Sequence, residues 1–180
     1  MMKKILILAT MVMLFCITSS AGNFNAAKCK PFFGVWKYNG YQDGGTVNAT
    51  LKLSSKGTVE YCSLVRASTS GLVVKCKFSQ KGTWYYSDGS LYFSWDYSSF
   101  NYDPTGTSQM VISYGVLDQF VSAFKSSMMY DYTTCQVNNL TANSFVDGNN
   151  QEWTKTESEE VKSSAQSSST SSKKKSKKRR

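Results

Sequence analysis

The sequence predicts an all-β domain, an antiparallel barrel of about eight strands with one short helix. Three observations predict it. Between Pro31 and Thr156 the chain is rich in Tyr, Trp, Phe, Val and Thr, the residues that suit a pleated, half-buried surface. Gly, Asn and Asp interrupt it at short intervals, and Pro104 is the only proline after Pro31. That span is long enough for one domain with its own hydrophobic core, and no composition shift within it marks a second.

The chain opens with Lys3-Lys4, continues through an apolar run from Ile5 to Ile17, and reaches the small residues Ser19-Ser20-Ala21. This is the pattern of a signal peptide spanning residues 1–21, cleaved after Ala21. The run is shorter than the roughly 20 apolar residues that a membrane-spanning helix needs. A secreted or periplasmic protein is therefore expected, with no transmembrane segment after cleavage. The barrel domain follows over residues 22–156.

Two hairpins can be placed in this domain. In Trp84-Tyr85-Tyr86-Ser87-Asp88-Gly89-Ser90-Leu91-Tyr92-Phe93-Ser94-Trp95, Asp-Gly is a favoured pair for a two-residue type I′ turn. It sets Tyr86 against Leu91 and Trp84 against Phe93, and the two-residue pleat adds Trp95 to the same face. Trp84, Tyr86, Leu91, Phe93 and Trp95 thus form one aromatic, inward face and are the candidate ligand-binding residues. A second hairpin follows if Cys62 lies opposite Cys76, with Leu64 against Val74 and Ala67 to Gly71 as a five-residue loop. Export makes an even set of cysteines read as two disulfides, Cys62 with Cys76 and, by elimination, Cys29 with Cys135. The alternative is four buried thiols.

Val116, Leu117, Phe120, Val121 and Phe124 recur at helical spacing, with Asp118 early and Lys125 late to suit the helix dipole. Such a stripe caps one end of the β core or forms a lid over a cavity. After Lys155 the composition changes to acidic residues and then to a serine run. Residues 157–180 read as a disordered Ser-rich linker and basic tail.

The net charge of +9 has a simple distribution. Seven positive charges lie in Lys173–Arg180 and two in Lys3-Lys4, so the remainder is formally neutral. A specific nucleic-acid reader needs a basic face on its domain, and a formally neutral domain is not expected to offer one. The tail suits an anionic envelope polymer or lipid as partner, or serves solubility alone. Histidine is absent, which removes the commonest general base and metal ligand. No metal site, cofactor or catalytic set is expected. The carboxylates Asp43, Glu60, Asp96 and Asp103 form no visible acid and base pair.

The first strand carries Phe33-Gly34-Val35-Trp36-Lys37-Tyr38, and the last Gln151-Glu152-Trp153-Thr154-Lys155, with strand starts at Lys56-Gly57-Thr58 and Lys81-Gly82-Thr83. In these residues the chain resembles the lipocalin-like, or calycin, domains of exported bacterial proteins. The resemblance implies a barrel closed at one end by the Gly34-x-Trp36 pair, with Lys155 as the basic partner packed over Trp36. Lysine stands where arginine is usual, and the predicted helix precedes the last strands. The implied function is binding of a small apolar or amphipathic ligand. The alternative is an envelope protein-interaction or inhibitory domain with a solid barrel.

Overall fold

The computed structural model describes residues 24–42, 45–128 and 133–157. The expected signal peptide, Asp43 and the basic tail lie outside the described residues. A short helix α1 (Ala26–Cys29) and a 3-10 turn (Lys30–Phe32) lead into eight strands. These are β1 (Gly34–Gln42), β2 (Gly45–Leu53), β3 (Thr58–Thr69), β4 (Leu72–Ser87), β5 (Ser90–Asp103), β6 (Thr133–Asn138), β7 (Ser144–Asp147) and β8 (Glu152–Glu157). Helices α2 (Gln109–Ser113) and α3 (Val116–Met128) lie between β5 and β6.

Each strand pairs antiparallel with the next, and β1 pairs with β8, so the eight strands close into a ring. Side chains alternate along each strand, and the inner set is the core. In β1 Trp36 is buried while Lys37 is exposed, and in β3 Val59, Tyr61, Ser63 and Val65 all point inward. The Asp88-Gly89 turn carries positive φ at both residues, and the register it sets is the one the dipeptide predicts. Tyr86 faces Leu91, Trp84 faces Phe93, and Trp95 shares their buried side.

The other hairpin differs from expectation. The β3–β4 loop is the two residues Ser70 and Gly71, with φ of 49° and 79°, and not the segment from Ala67 to Gly71. Glycine occupies the left-handed position without steric cost, which allows so tight a turn. The shorter loop moves the register by an odd number of residues. Cys62 then faces Ser79 and Cys76 faces Val65, while Leu64 faces Lys77 in place of Val74. An odd shift puts two residues expected on one face onto opposite faces. Cys76 points into the core and Cys62 lies partly exposed on the outer side.

All four described cysteines are free, so neither expected disulfide, Cys62 with Cys76 or Cys29 with Cys135, is present. Burial, aided by nearby Asp103, pushes the Cys76 thiol up to about 12, and burial raises Cys135 well above the usual thiol range. Thiolate is the reactive form. Brief alkylation of the native protein near neutral pH should therefore modify Cys62 first, and Cys76 and Cys135 only after unfolding, as peptide mapping would read. Recovery of a peptide joining Cys62 to Cys76 would contradict this register.

Candidate functional site

One end of the ring is plugged by the segment ahead of β1. Phe32 is fully buried, with its ring 6.3 Å from Trp36, 6.5 Å from Trp84, 4.6 Å from Tyr86 and 6.1 Å from Phe145. Phe24 sits edge-on to Trp84 at 5.8 Å. Polar contacts pin the same segment: Trp36 Nε1 donates to the Phe32 carbonyl at 2.7 Å, and Lys155 Nζ donates to the Pro31 carbonyl at 3.0 Å. Trp36 and Lys155 face each other across β1 and β8, with the ammonium 5.1 Å from the indole centroid, a cation–π contact. Gly34 starts β1 with φ of 128°, next to an irregularity in the β1–β8 ladder. Gly34, Trp36 and Lys155 are thus brought together at the plugged end. Phe32, which their arrangement holds, was not singled out in the sequence, because nothing in Pro31-Phe32-Phe33 marks the first ring as a plug.

The five aromatic-face residues divide. Trp84 and Tyr86 pack against Phe32, and Leu91 is wholly buried beside them in the core. Phe93 stacks on Trp95 at 5.3 Å and 19°. This face is therefore packed with protein side chains. The Trp95 Nε1 donates to Thr133 Oγ1 at 2.7 Å, and its ring lies 6.2 Å from Tyr61.

Around Trp95 the interior changes character. Tyr61 and Ser63 on β3, Gln80 on β4 and Thr133 on β6 are all buried. Tyr61 and Gln80 face each other, and Ser63 faces Phe78. Burial, only partly opposed by the neighbouring Ser63 hydroxyl, pushes the Tyr61 phenol up to about 12. It therefore stays protonated at neutral pH and can donate a hydrogen bond. Ser63 Oγ lies near the Tyr61 phenol but outside hydrogen-bond geometry, so it and Gln80 Oε1 are both buried without a hydrogen-bond partner. Gln80 also marks an irregularity in the wall, for the β4–β5 register shifts between Ser79 and Lys81. Residues 97–100 form the resulting bulge, which starts after Asp96: Asp96 Oδ1 accepts from Ser98, and Ser99 Oγ donates to the Asp96 carbonyl. Bulges of this kind re-aim a side chain.

Helix α3 covers this end. Phe124 stacks on Phe78 at 3.7 Å and 4°, and Phe120 lies 5.7 Å from the same ring. Leu117, Phe120, Val121 and Phe124 are buried as the helical spacing predicts, whereas Val116 at the helix start is only partly covered. The polar side chains thus lie next to the aromatic layer that α3 seals.

A separate, open cavity of about 480 Å³ lies where β8 stops pairing with β1. Tyr38, Asn39, Asn149, Asn150, Gln151, Glu152 and Thr154 line it. Asp147, itself buried, holds the adjoining turn. Its Oδ1 accepts from the backbone N–H groups of Asn149 and Gln151, and its Oδ2 from Trp153 Nε1.

The remaining carboxylates weighed for chemistry stand apart. Glu60 is exposed and lies 3.4 Å from Lys52 and 4.0 Å from Lys81. Asp103 is held below the usual carboxylate range by the Thr105 hydroxyl and N–H, and it lies on the surface. Among the described residues no group of three or more His, Cys, Asp or Glu side chains could hold a metal ion. No helix of the described residues is long and apolar enough to cross a membrane. No family model matches the chain, and no curated protein does either.

Proposed function

We propose that this chain is an exported, lipocalin-like binding protein that holds one small amphipathic molecule inside the ring, beneath helix α3. The observation that carries the reading is the pair of buried, unpartnered acceptors, Ser63 Oγ and Gln80 Oε1, in an otherwise aromatic interior. Buried polar groups are normally hydrogen-bonded, and leaving one unpaired costs about 1–3 kcal/mol. A ligand with two donor hydrogens, as in a primary amide or a pair of hydroxyls, would satisfy both, while Trp95, Tyr61 and Phe78 would cover its apolar part. The plugged end leaves the side beneath α3 as the place for such a molecule, with α3 as its lid.

Native mass spectrometry of protein purified from its own host tests this. Wild type should carry a retained small molecule, and the pair Ser63→Ala with Gln80→Leu should lose it. The same pair should be as stable as the ligand-free wild type or more so, by about 0–2 kcal/mol, because unpaired polar groups are replaced by apolar ones of similar shape. A ligand-free wild type would sink the reading. It would favour instead the interaction domain with a solid interior, a reading supported by the dense packing of Trp84, Tyr86 and Leu91 around Phe32.

A further inference from the structure

Among the described residues, exposed apolar side chains gather in the segment that holds helix α2. Of the seven large apolar or aromatic side chains exposed among the described residues, four fall between residues 102 and 114. Tyr102 is 41 % exposed, Met110 54 %, Ile112 38 % and Tyr114 73 %. Helix α2 turns Val111 into the core and presents Met110 and Ile112 on either side of it. Tyr114 projects from the corner where α2 meets α3.

A basic strip adjoins this corner. Arg66 and Lys75 face each other directly across β3 and β4 on the outer surface, and Lys77 follows two residues on. Like charges placed opposite each other repel and cost stability. Asp103, opposite Lys77, offsets part of the charge. The strip and the helix are joined through the backbone. Lys75 N–H donates to Thr107 Oγ1, whose hydroxyl donates to the Lys75 carbonyl, and Val73 N–H donates to Ser108 Oγ, at the residue that caps α2. On the other flank Lys125 Nζ lies 5.8 Å from the Phe100 ring centroid.

From this juxtaposition we infer that the end of the ring carrying α2 docks onto an anionic lipid surface. Met110, Ile112 and Tyr114 enter the interfacial layer, while Arg66, Lys75 and Lys77 meet lipid phosphates. Size decides against a protein partner. A stable protein interface buries on the order of 1,200–2,000 Å² around an apolar centre, far more than two side chains on a five-residue helix and the tyrosine that follows it supply. Shallow insertion needs only a small apolar set flanked by cations. The sequence adds a second cationic element, the seven charges of Lys173–Arg180, and one weak membrane signal gains most from a second.

A reporter for this contact is available, because Trp36, Trp84, Trp95 and Trp153 are all buried. In the exported protein from its own host, Met110→Trp places an indole on the docking face. Its emission should shift to the blue on vesicles that contain roughly a third phosphatidylglycerol, and not on pure phosphatidylcholine. The triple change Met110→Ser, Ile112→Ser, Tyr114→Ser should lower partitioning about tenfold or more. Lys75→Glu with Lys77→Glu should lower it comparably at low salt. Deleting residues 163–180 should weaken binding yet leave the blue shift attainable at higher lipid. If Met110→Trp disturbs the fold by near-ultraviolet circular dichroism, Tyr114→Trp serves as the reporter. Unchanged emission in vesicle-bound protein, or full binding by the triple variant, would show that the tail acts alone and overturn the proposal. Equal binding to neutral lipid, or none to either, would overturn it as well.

Discussion

Trp95→Ala should lower the free energy of unfolding by about 3–5 kcal/mol, read from denaturant titration by circular dichroism. The indole is buried against Phe93 and Tyr61, so its removal deletes a large packed volume that the closed ring cannot collapse to fill. It also takes the indole donor from Thr133 Oγ1, inside the protein. An outward ring on the same hairpin provides the comparison. Tyr85 stacks on Tyr92 at 4.7 Å on the outer surface, and Tyr85→Ala should cost about 1 kcal/mol, as expected for a cross-strand aromatic pair. A loss below about 1 kcal/mol for Trp95→Ala would mean that the interior is loose there. In the binding reading the same variant should also lose the retained molecule, because the indole lies against Tyr61, which faces Gln80 across β3 and β4.

The reason this hairpin could be placed from sequence is local: Asp88-Gly89 fixes a turn, a turn fixes a register, and a register fixes a face. The same holds for α3, whose apolar spacing needs no distant partner to be legible. Where sequence reasoning went astray, the decisive feature was weaker or longer in range. Ser70-Gly71 makes as tight a turn as Asp88-Gly89, but the cysteines suggested a looser one, and an odd register shift separated Cys62 from Cys76. Strand β4 is also continuous from Leu72 to Ser87 and serves both hairpins, so an error in one register could not be detected from the other. The pairing of Trp36 with Lys155 was legible only through family resemblance, since the two residues meet across the whole domain. Ser63 and Gln80 carried no signal. A serine and a glutamine at inward positions look like breaks in the apolar alternation until the folded ring shows Ser63 Oγ and Gln80 Oε1 buried without hydrogen-bond partners.

Asp147 was equally silent in the sequence, yet Asp147→Ala should cost about 3–5 kcal/mol. The carboxylate is buried and accepts three hydrogen bonds, from Asn149 N–H at 2.8 Å, Gln151 N–H at 3.0 Å and Trp153 Nε1 at 3.1 Å. Alanine would leave the buried indole donor unpaired and release the turn, and bonds to a charged acceptor contribute about 1.5–3 kcal/mol each. Asp147→Asn keeps an oxygen for part of this set and should cost less than the alanine change. Tyr38 supplies an independent readout. Burial first, and then the nearby Asp147 charge, raise its phenol above the usual range. Removing the negative charge makes the phenolate easier to form, so in Asp147→Asn the Tyr38 titration, followed by ultraviolet absorbance, should move down toward the usual range without reaching it, because the burial remains. A Tyr38 titration that stays where it was, together with wild-type stability, would show that Asp147 neither holds this turn nor charges the cavity beside it.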